Sequence, residues 1–273
     1  MKRRRLAIVL AMAVGLCTVG GPPVLAATAQ DPAGVLREQF VPGRGVLVDE
    51  TIKTTVDRLP PGVTRTTGKI GFSASRADGF DLTSRWTTDG VAETTRTVKV
   101  GRYTYVLGFE WGTMPAWPTW VRFGDGSTWN NGWRGYQPLD VFDPKILRTL
   151  VAKAATVKGS EYRGVFVPGK RSGDASVGDS KRVTFSYRLF LDARQLPVRL
   201  ITDFTYVDTW PDDKGKWVEH TVHDVVDTRY DGWGTKVSIT PPPAGDVVDI
   251  TDVLGSAAEN RNPTDGATWS LAR

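Results

Sequence analysis

His220 and His223 are the residues of this 273-residue chain with the clearest capacity for acid–base or metal chemistry. They lie in Glu219-His220-Thr221-Val222-His223-Asp224. On a helix, histidines three apart share a face and could share a metal; on a strand they point to opposite faces. Val218, Val222 and Val226 recur with the strand period, so the segment reads as a strand. His220 then joins the apolar face as a core or cavity-lining residue, and no metal site is expected. The carboxylate pairs Asp140/Asp143 and Asp212/Asp213 precede a helix and open an Asp-Asp-Lys-Gly turn, where capping and turn formation explain them. There is no Gly-x-Ser-x-Gly, phosphate-binding loop, dinucleotide fingerprint or His-Glu-x-x-His. Triads assemble from distant positions, but two histidines and one cysteine leave few acid–base options. The chain therefore reads as noncatalytic, with no metal and no cofactor.

The most unusual local feature is aromatic. Trp111, Trp117, Trp120, Trp129 and Trp133 fall within 23 residues, interleaved with Gly, Pro and Asn. Such a stretch can cap the open end of a core. It can also form the mouth of a hydrophobic pocket, or a stacking platform for a sugar.

The elements that must position these residues begin with an export segment. Lys2, Arg3, Arg4 and Arg5 precede an apolar run of 14 residues, Leu6 to Val19, followed by Gly20-Gly21-Pro22-Pro23 and the small-residue sites Val24-Leu25-Ala26 and Ala27-Thr28-Ala29. That order predicts a cleaved signal peptide over 1–29, and the run is short of the ~20 residues that span a bilayer. Leu16 directly before Cys17 disfavours lipidation there, so the expected location is secreted or cell-envelope with no stable transmembrane anchor. The mature chain would hold no cysteine and would depend on packing. Without the four leading bases, 31 Lys+Arg face 30 Asp+Glu, a net charge of +1 rather than +5. That balance gives no electrostatic case for nucleic acid.

From Val46 onward the chain alternates with period 2. Phe80, Leu82 and Trp86 share one face, as do Tyr103, Tyr105 and Leu107. Val183, Phe185, Tyr187, Leu189 and Leu191 make the cleanest one-faced strand, and Leu196 to Tyr206 and Val218 to Tyr230 follow. About ten strands are expected. One helix is expected from Pro144 to about 156, capped by Asp143 and stopped by Gly159, and a shorter one from Asp31-Pro32 to about Phe40. No linker or repeat divides the body, so residues 30–250 read as one domain and 251–273 as a mobile tail. The expected class is α+β, mainly β: a curved antiparallel sheet, a half-barrel, with one or two helices against its concave face.

Several segments resemble the LolA-like superfamily of exported lipoprotein and lipid carriers, in particular its mycobacterial LppX/LprG type and similar actinobacterial proteins. These are Gly101-Arg102-Tyr103-Thr104-Tyr105 with Thr119-Trp120-Val121-Arg122, Lys158 to Gly164, and Leu189-Phe190-Leu191-Asp192-Ala193-Arg194-Gln195-Leu196-Pro197-Val198-Arg199. Tyr230-Asp231-Gly232-Trp233-Gly234 and Pro241-Pro242-Pro243-Ala244 complete the set, in family order over about 100 to 249. The resemblance implies a half-barrel enclosing an apolar cavity, with noncovalent binding of lipid and no catalytic residues. The family's lipid-attachment cysteine is absent, residues 41–99 match poorly, and the family's N-terminal helix is short or missing.

The expected function is noncatalytic binding of a lipid or other hydrophobic small molecule. The expected lining is Trp86, Phe185, Tyr187, Leu189, Leu200, Phe204 and Val222, with Trp111, Trp117, Trp120, Trp129 and Trp133 as an aromatic mouth. The alternatives are a cargo-free interaction or sensor domain that binds an envelope protein, and a carbohydrate-binding module using the Trp111–Trp133 loop.

Overall fold

The computed structural model describes residues 31–88, 91–108, 119–124, 135–168, 183–212 and 214–253. The expected export segment, the tail beyond Val253, and Trp111, Trp117, Trp129 and Trp133 lie outside the described residues.

Alternating sequence becomes strand throughout the body. Strands β1 (Arg44–Val56), β2 (Gly62–Phe72), β3 (Ala77–Thr88), β4 (Val91–Val100), β5 (Tyr103–Leu107) and β6 (Trp120–Phe123) form one meander. Strands β7 (Thr156–Lys158), β8 (Glu161–Phe166), β9 (Phe185–Leu191), β10 (Pro197–Pro211) and β11 (Trp217–Lys236) form a second, and β12 (Val247–Asp249) follows. The meanders join where β1 pairs with β11, giving one curved open sheet in the order β12-β6-β5-β4-β3-β2-β1-β11-β10-β9-β8-β7. All pairs are antiparallel except β12 with β6. The described residues thus carry twelve strands rather than about ten. The additional ones, β7 and β12, span three residues each, too few for alternation to register.

Two helices flank this sheet. Helix α1 (Pro32–Glu38) is capped by Asp31, whose Oδ1 accepts from the Ala33 amide at 3.2 Å. Helix α2 (Pro144–Ala152) repeats the device, with Asp143 accepting from the Lys145 amide at 2.7 Å. Proline at the first helical position lacks only an N–H that the helix would leave unused. Helix α2 ends four residues before the expected 156, because the Ala155 amide already bonds the Arg163 carbonyl at 2.8 Å and begins the approach to β7. Gly159, expected to stop that helix, instead makes the β7–β8 turn at φ +60°. The helices pack on the concave face: Val35, Leu36, Leu147 and Leu150 share one core with Val46, Phe80, Leu189 and Leu200.

The convex face is crossed by the segment from 237 to 243, which carries the chain from β11 over to β12. Its path needs a lane without side chains. Gly45, Gly71 and Gly79 stand opposite one another on β1, β2 and β3, and Val237 and Ile239 lie across them. A Cβ at Gly45 would fall 2.1 Å from the Ile70 carbonyl oxygen and 2.7 Å from Val237 Cγ2. Backbone cannot yield as a side chain can. Gly45→Ala is therefore expected to lose about 1–3 kcal/mol of unfolding free energy in urea, the usual range for overpacking. Gly245→Ala, at a position with open space around it and no positive φ, serves as the uncrowded control.

Candidate functional site

The concave face is organised by a buried carboxyl. Glu50 occupies the inward position between Val48 and Ile52 on β1 and is almost fully buried. Its Oε1 accepts from the Tyr136 amide at 2.6 Å, and its Oε2 accepts from the Thr228 hydroxyl at 2.8 Å. Gln137 extends the network, donating to Thr228 Oγ1 at 3.0 Å and to the Leu200 carbonyl at 3.3 Å while accepting from Thr202 at 2.9 Å. Gly135 reaches the carboxyl only because it has no Cβ, which would sit 2.8 Å from Oε1 at φ +96°. Burial pushes the Glu50 carboxyl up, and the bonds from Tyr136, Thr228 and Gln137 oppose that rise. The network pins residues 135–137 against β1, β10 and β11.

From that anchor the chain closes one half of the face. Phe142 meets Tyr230 edge to face at 5.6 Å and Trp233 at 5.8 Å, Phe40 meets Phe72 at 5.5 Å, and Trp233 donates to the Pro197 carbonyl at 2.7 Å. Tyr187 donates to the Leu150 carbonyl at 2.6 Å, which ties α2 to β9. Gly164 allows this, since a Cβ there would fall 2.5 Å from the Tyr187 hydroxyl.

Beyond the helices the same face continues along the other ends of the long strands. Ile52, Phe204 and Val222 are buried there. Phe185 packs edge to face on Phe204 at 4.9 Å, and Tyr206 stacks beside Phe204 at 5.8 Å. Farther out, Trp210 lies flat on His220, with centroids 3.9 Å apart and planes 7° from parallel. Trp86, on the face of Phe80 and Leu82, is 47% exposed. Burial therefore grades along one face from a closed core to an aromatic rim.

Among the described residues, two buried side-chain polar atoms in this far half have no hydrogen-bond partner. Asp224 is 5% exposed and its Oδ1 is unpaired. Burial pushes its carboxyl up, against hydrogen bonding with Thr54 and Tyr206. The other is His220 Nε2. Nδ1 of that ring lies 2.8 Å from Asp57 Oδ2, and a carboxylate only accepts, so Nδ1 donates; in the neutral tautomer that leaves Nε2 as an acceptor. The bond from His220 holds the Asp57 carboxyl below its ordinary range. His223 lies on the convex face, with Nε2 3.0 Å from Asp203 Oδ1. Among the described residues no three of His, Cys, Asp and Glu are grouped to hold a metal ion.

The structure brings all seven expected lining residues onto one face. Leu200 stands opposite Leu189, Tyr187 opposite Thr202, and Val222 opposite Tyr206. Phe185, Tyr187, Leu189, Leu200 and Phe204 belong to the core that includes α2, with Phe204 at its far end, whereas Val222 and Trp86 lie outside that cluster, farther along the face. Of the expected aromatic mouth, Trp120 alone is described. It is buried on the convex side with Val98 and Tyr105, under the Arg96 guanidinium. Glu50, Gln137, Asp224, Tyr206 and Trp210 are not among the residues that sequence reasoning selects. Glu50 and Asp224 each carry a signal, an acid in phase with apolar neighbours on its strand.

No protein-family model matches the chain, and no curated protein matches it. Among solved structures, a LolA superfamily protein from Nitrosomonas europaea aligns at 12% identity over 81% of this chain and 97% of its own, with a TM-score of 0.26. A DUF1329 family protein from Desulfovibrio piger aligns at 11% identity over 73% of this chain and 92% of its own, with a TM-score of 0.29.

The Glu50 network yields a pH-resolved expectation. Glu50→Ala strands the Tyr136 amide and is expected to cost about 1–3 kcal/mol. Glu50→Gln keeps an acceptor for Tyr136 but presents an N–H where the Thr228 hydroxyl donates, and should retain part of the stability. A carboxyl raised by burial contributes stability that is complete below its unfolded pKa and lost as pH rises through its folded pKa. Urea unfolding at pH 5 and pH 8 should therefore show the Gln variant gaining on the wild type as pH rises.

Proposed function

We propose that the protein is a secreted, noncatalytic binding protein that holds a lipid or other hydrophobic ligand against the far half of the concave face. The supporting observation is the gradient along that face, from buried Ile52, Phe204 and Val222 to Tyr206, Trp210 and the 47% exposed Trp86. A curled sheet with one apolar face either packs shut or holds a guest. Here the helix half is packed shut by α1, α2 and Phe142. In the far half, apolar groups lead to an aromatic rim, and Trp and Tyr rings suit the boundary between an apolar chain and water. Of the seven residues of the lining, Phe204, Val222 and Trp86 are then the ones in contact with ligand. Phe185, Tyr187, Leu189 and Leu200 form the floor that holds them. The basic and apolar character of residues 2–19 supports export. Among the described residues no helix is long and apolar enough to cross a membrane.

Full-length protein purified under native conditions from its secreting cell is expected to release a stoichiometric apolar-chain compound on solvent extraction and mass spectrometry. Trp86→Ala and Trp210→Ala should weaken rebinding of that compound by about 3- to 10-fold each, the equivalent of about 1 kcal/mol of aromatic contact. Repeated recovery of protein with no extractable compound would contradict the proposal.

A further inference from the structure

Charge on the far half of the sheet is sorted by face. Inward positions there are Glu50, Ile52, Thr54 and Val56 on β1, Thr64 and Thr66 on β2, and Leu82, Ser84 and Trp86 on β3. Those of β10 run from Leu200 through Phe204, Tyr206 and Asp208 to Trp210, and those of β11 from Val218 through His220, Val222, Asp224 and Val226 to Thr228. None of these residues is Lys or Arg. Away from the Arg44 and Lys236 ends, the cations of the same strands point outward: Lys53, Arg65, Lys69, Arg85, Arg199 and Arg229. Several have outward acids as partners, as in Arg199–Asp227 at 2.6 Å and Lys69–Asp81 at 3.9 Å.

The inward face has the opposite character. It carries the carboxyls of Glu50, Asp208 and Asp224, and two buried atoms with no partner, Asp224 Oδ1 and His220 Nε2. Native interiors seldom leave such atoms unpaired, and each is a place where an incoming donor gains a hydrogen bond at no loss to the protein. On the inward side Asp224 faces hydroxyls, those of Thr54 from β1, Tyr206 from β10 and Tyr136 from the segment pinned by Glu50, while the His223 ring acts on its charge from the convex face. An anion brought against this surface would be desolvated with no Lys or Arg among the described inward residues to offset it, which is costly in any buried setting.

We propose that the far half of the concave face selects amphiphiles whose head group donates hydrogen bonds and carries no negative charge, a hydroxyl or an amine on an apolar chain, with Asp224 as the buried acceptor and His220 as a second acceptor nearer the rim. This rests on the hydrophobic-ligand reading above and narrows it to a head-group class. The two acceptors lie four residues apart on one strand, about 13 Å, with Val222 between them. The chain of the ligand lies over Ile52, Phe204 and Val222, and Trp210 and Trp86 border its exit.

The test is displacement of a neutral solvatochromic dye from the full-length protein at pH 7.5 by four ligands with the same sixteen-carbon chain, each below its micelle concentration. They are hexadecylglycerol, hexadecylamine, palmitate and hexadecyl phosphate. The two donor heads are expected to displace the dye at least tenfold more tightly than the two anions. Palmitate or the phosphate binding as tightly as the alcohol would overturn the head-group assignment and leave the hydrophobic site intact. Failure of all four, with no dye bound, would overturn the underlying reading as well. Asp224→Leu should bind the dye and level the preference, and Asp224→Asn, which keeps an acceptor oxygen, should preserve it. An unchanged preference in a folded Asp224→Leu protein would overturn the role of Asp224.

Discussion

The buried carboxyl of Glu50 is the interaction on which the rest of the architecture depends. A twelve-stranded sheet that curls on itself has an inner face that needs cover, and among the described residues two short helices contribute to it. Glu50 solves this by receiving the Tyr136 amide and the Thr228 hydroxyl at once, with Gln137 bonded onward to β10 and β11. A charged residue so placed would be destabilising if any of its partners were missing. Because they are present, residues 135–137 are fixed at the middle of the face, and Phe142, α2 and α1 follow in one direction only. The opposite half of the face keeps a different fate.

The proposed function rests on that division. Strand parity sends every second residue inward, so the sequence decides separately what each face contains. On the outside, Arg and Lys pair with acids, as Arg188 does across strands and Arg163 along its own strand with Glu161, whose carboxyl those bonds, Arg163's first, lower to about 2. On the inside, apolar and aromatic residues alternate with hydroxyls and a few carboxyls, and the described inward residues of the far half include no Lys or Arg. Ion pairing and apolar packing are thus carried by the same strands on opposite faces without interference. The glycine lane under Val237 and Ile239 adds a third use of the outer face, as the track by which the chain returns to close the distant edge at β12.

Much of this organisation is legible in the amino-acid sequence, because it follows from local rules. Asp31-Pro32 and Asp143-Pro144 announce two helix starts, and both form there. The alternation of Phe185, Tyr187, Leu189 and Leu191 is inward on β9, and that of Val218, Val222 and Val226 places His220 and His223 on opposite faces. What the local rules miss depends on residues far apart in the chain. Helix α2 stops early because Arg163 takes the Ala155 amide. The Glu50 network joins positions 50, 136, 137, 202 and 228, and no short window of sequence spans them. Gly45, Gly71 and Gly79 become a lane only once the register of three strands is known. Trp120 belongs by sequence to an aromatic cluster, but strand parity turns it to the convex side, with Val98 and Tyr105.

The central claim is that ligand occupies the far half of the concave face. The most direct measurement is photo-crosslinking of full-length protein with a hexadecylglycerol analogue carrying a diazirine in mid-chain, followed by peptide mapping. Labelling is expected on β10 and β11 at inward residues such as Phe204, Tyr206 and Val222, with saturation at one equivalent. Labelling that falls instead on outward residues of the same strands, or on the segment from 237 to 243, would contradict it.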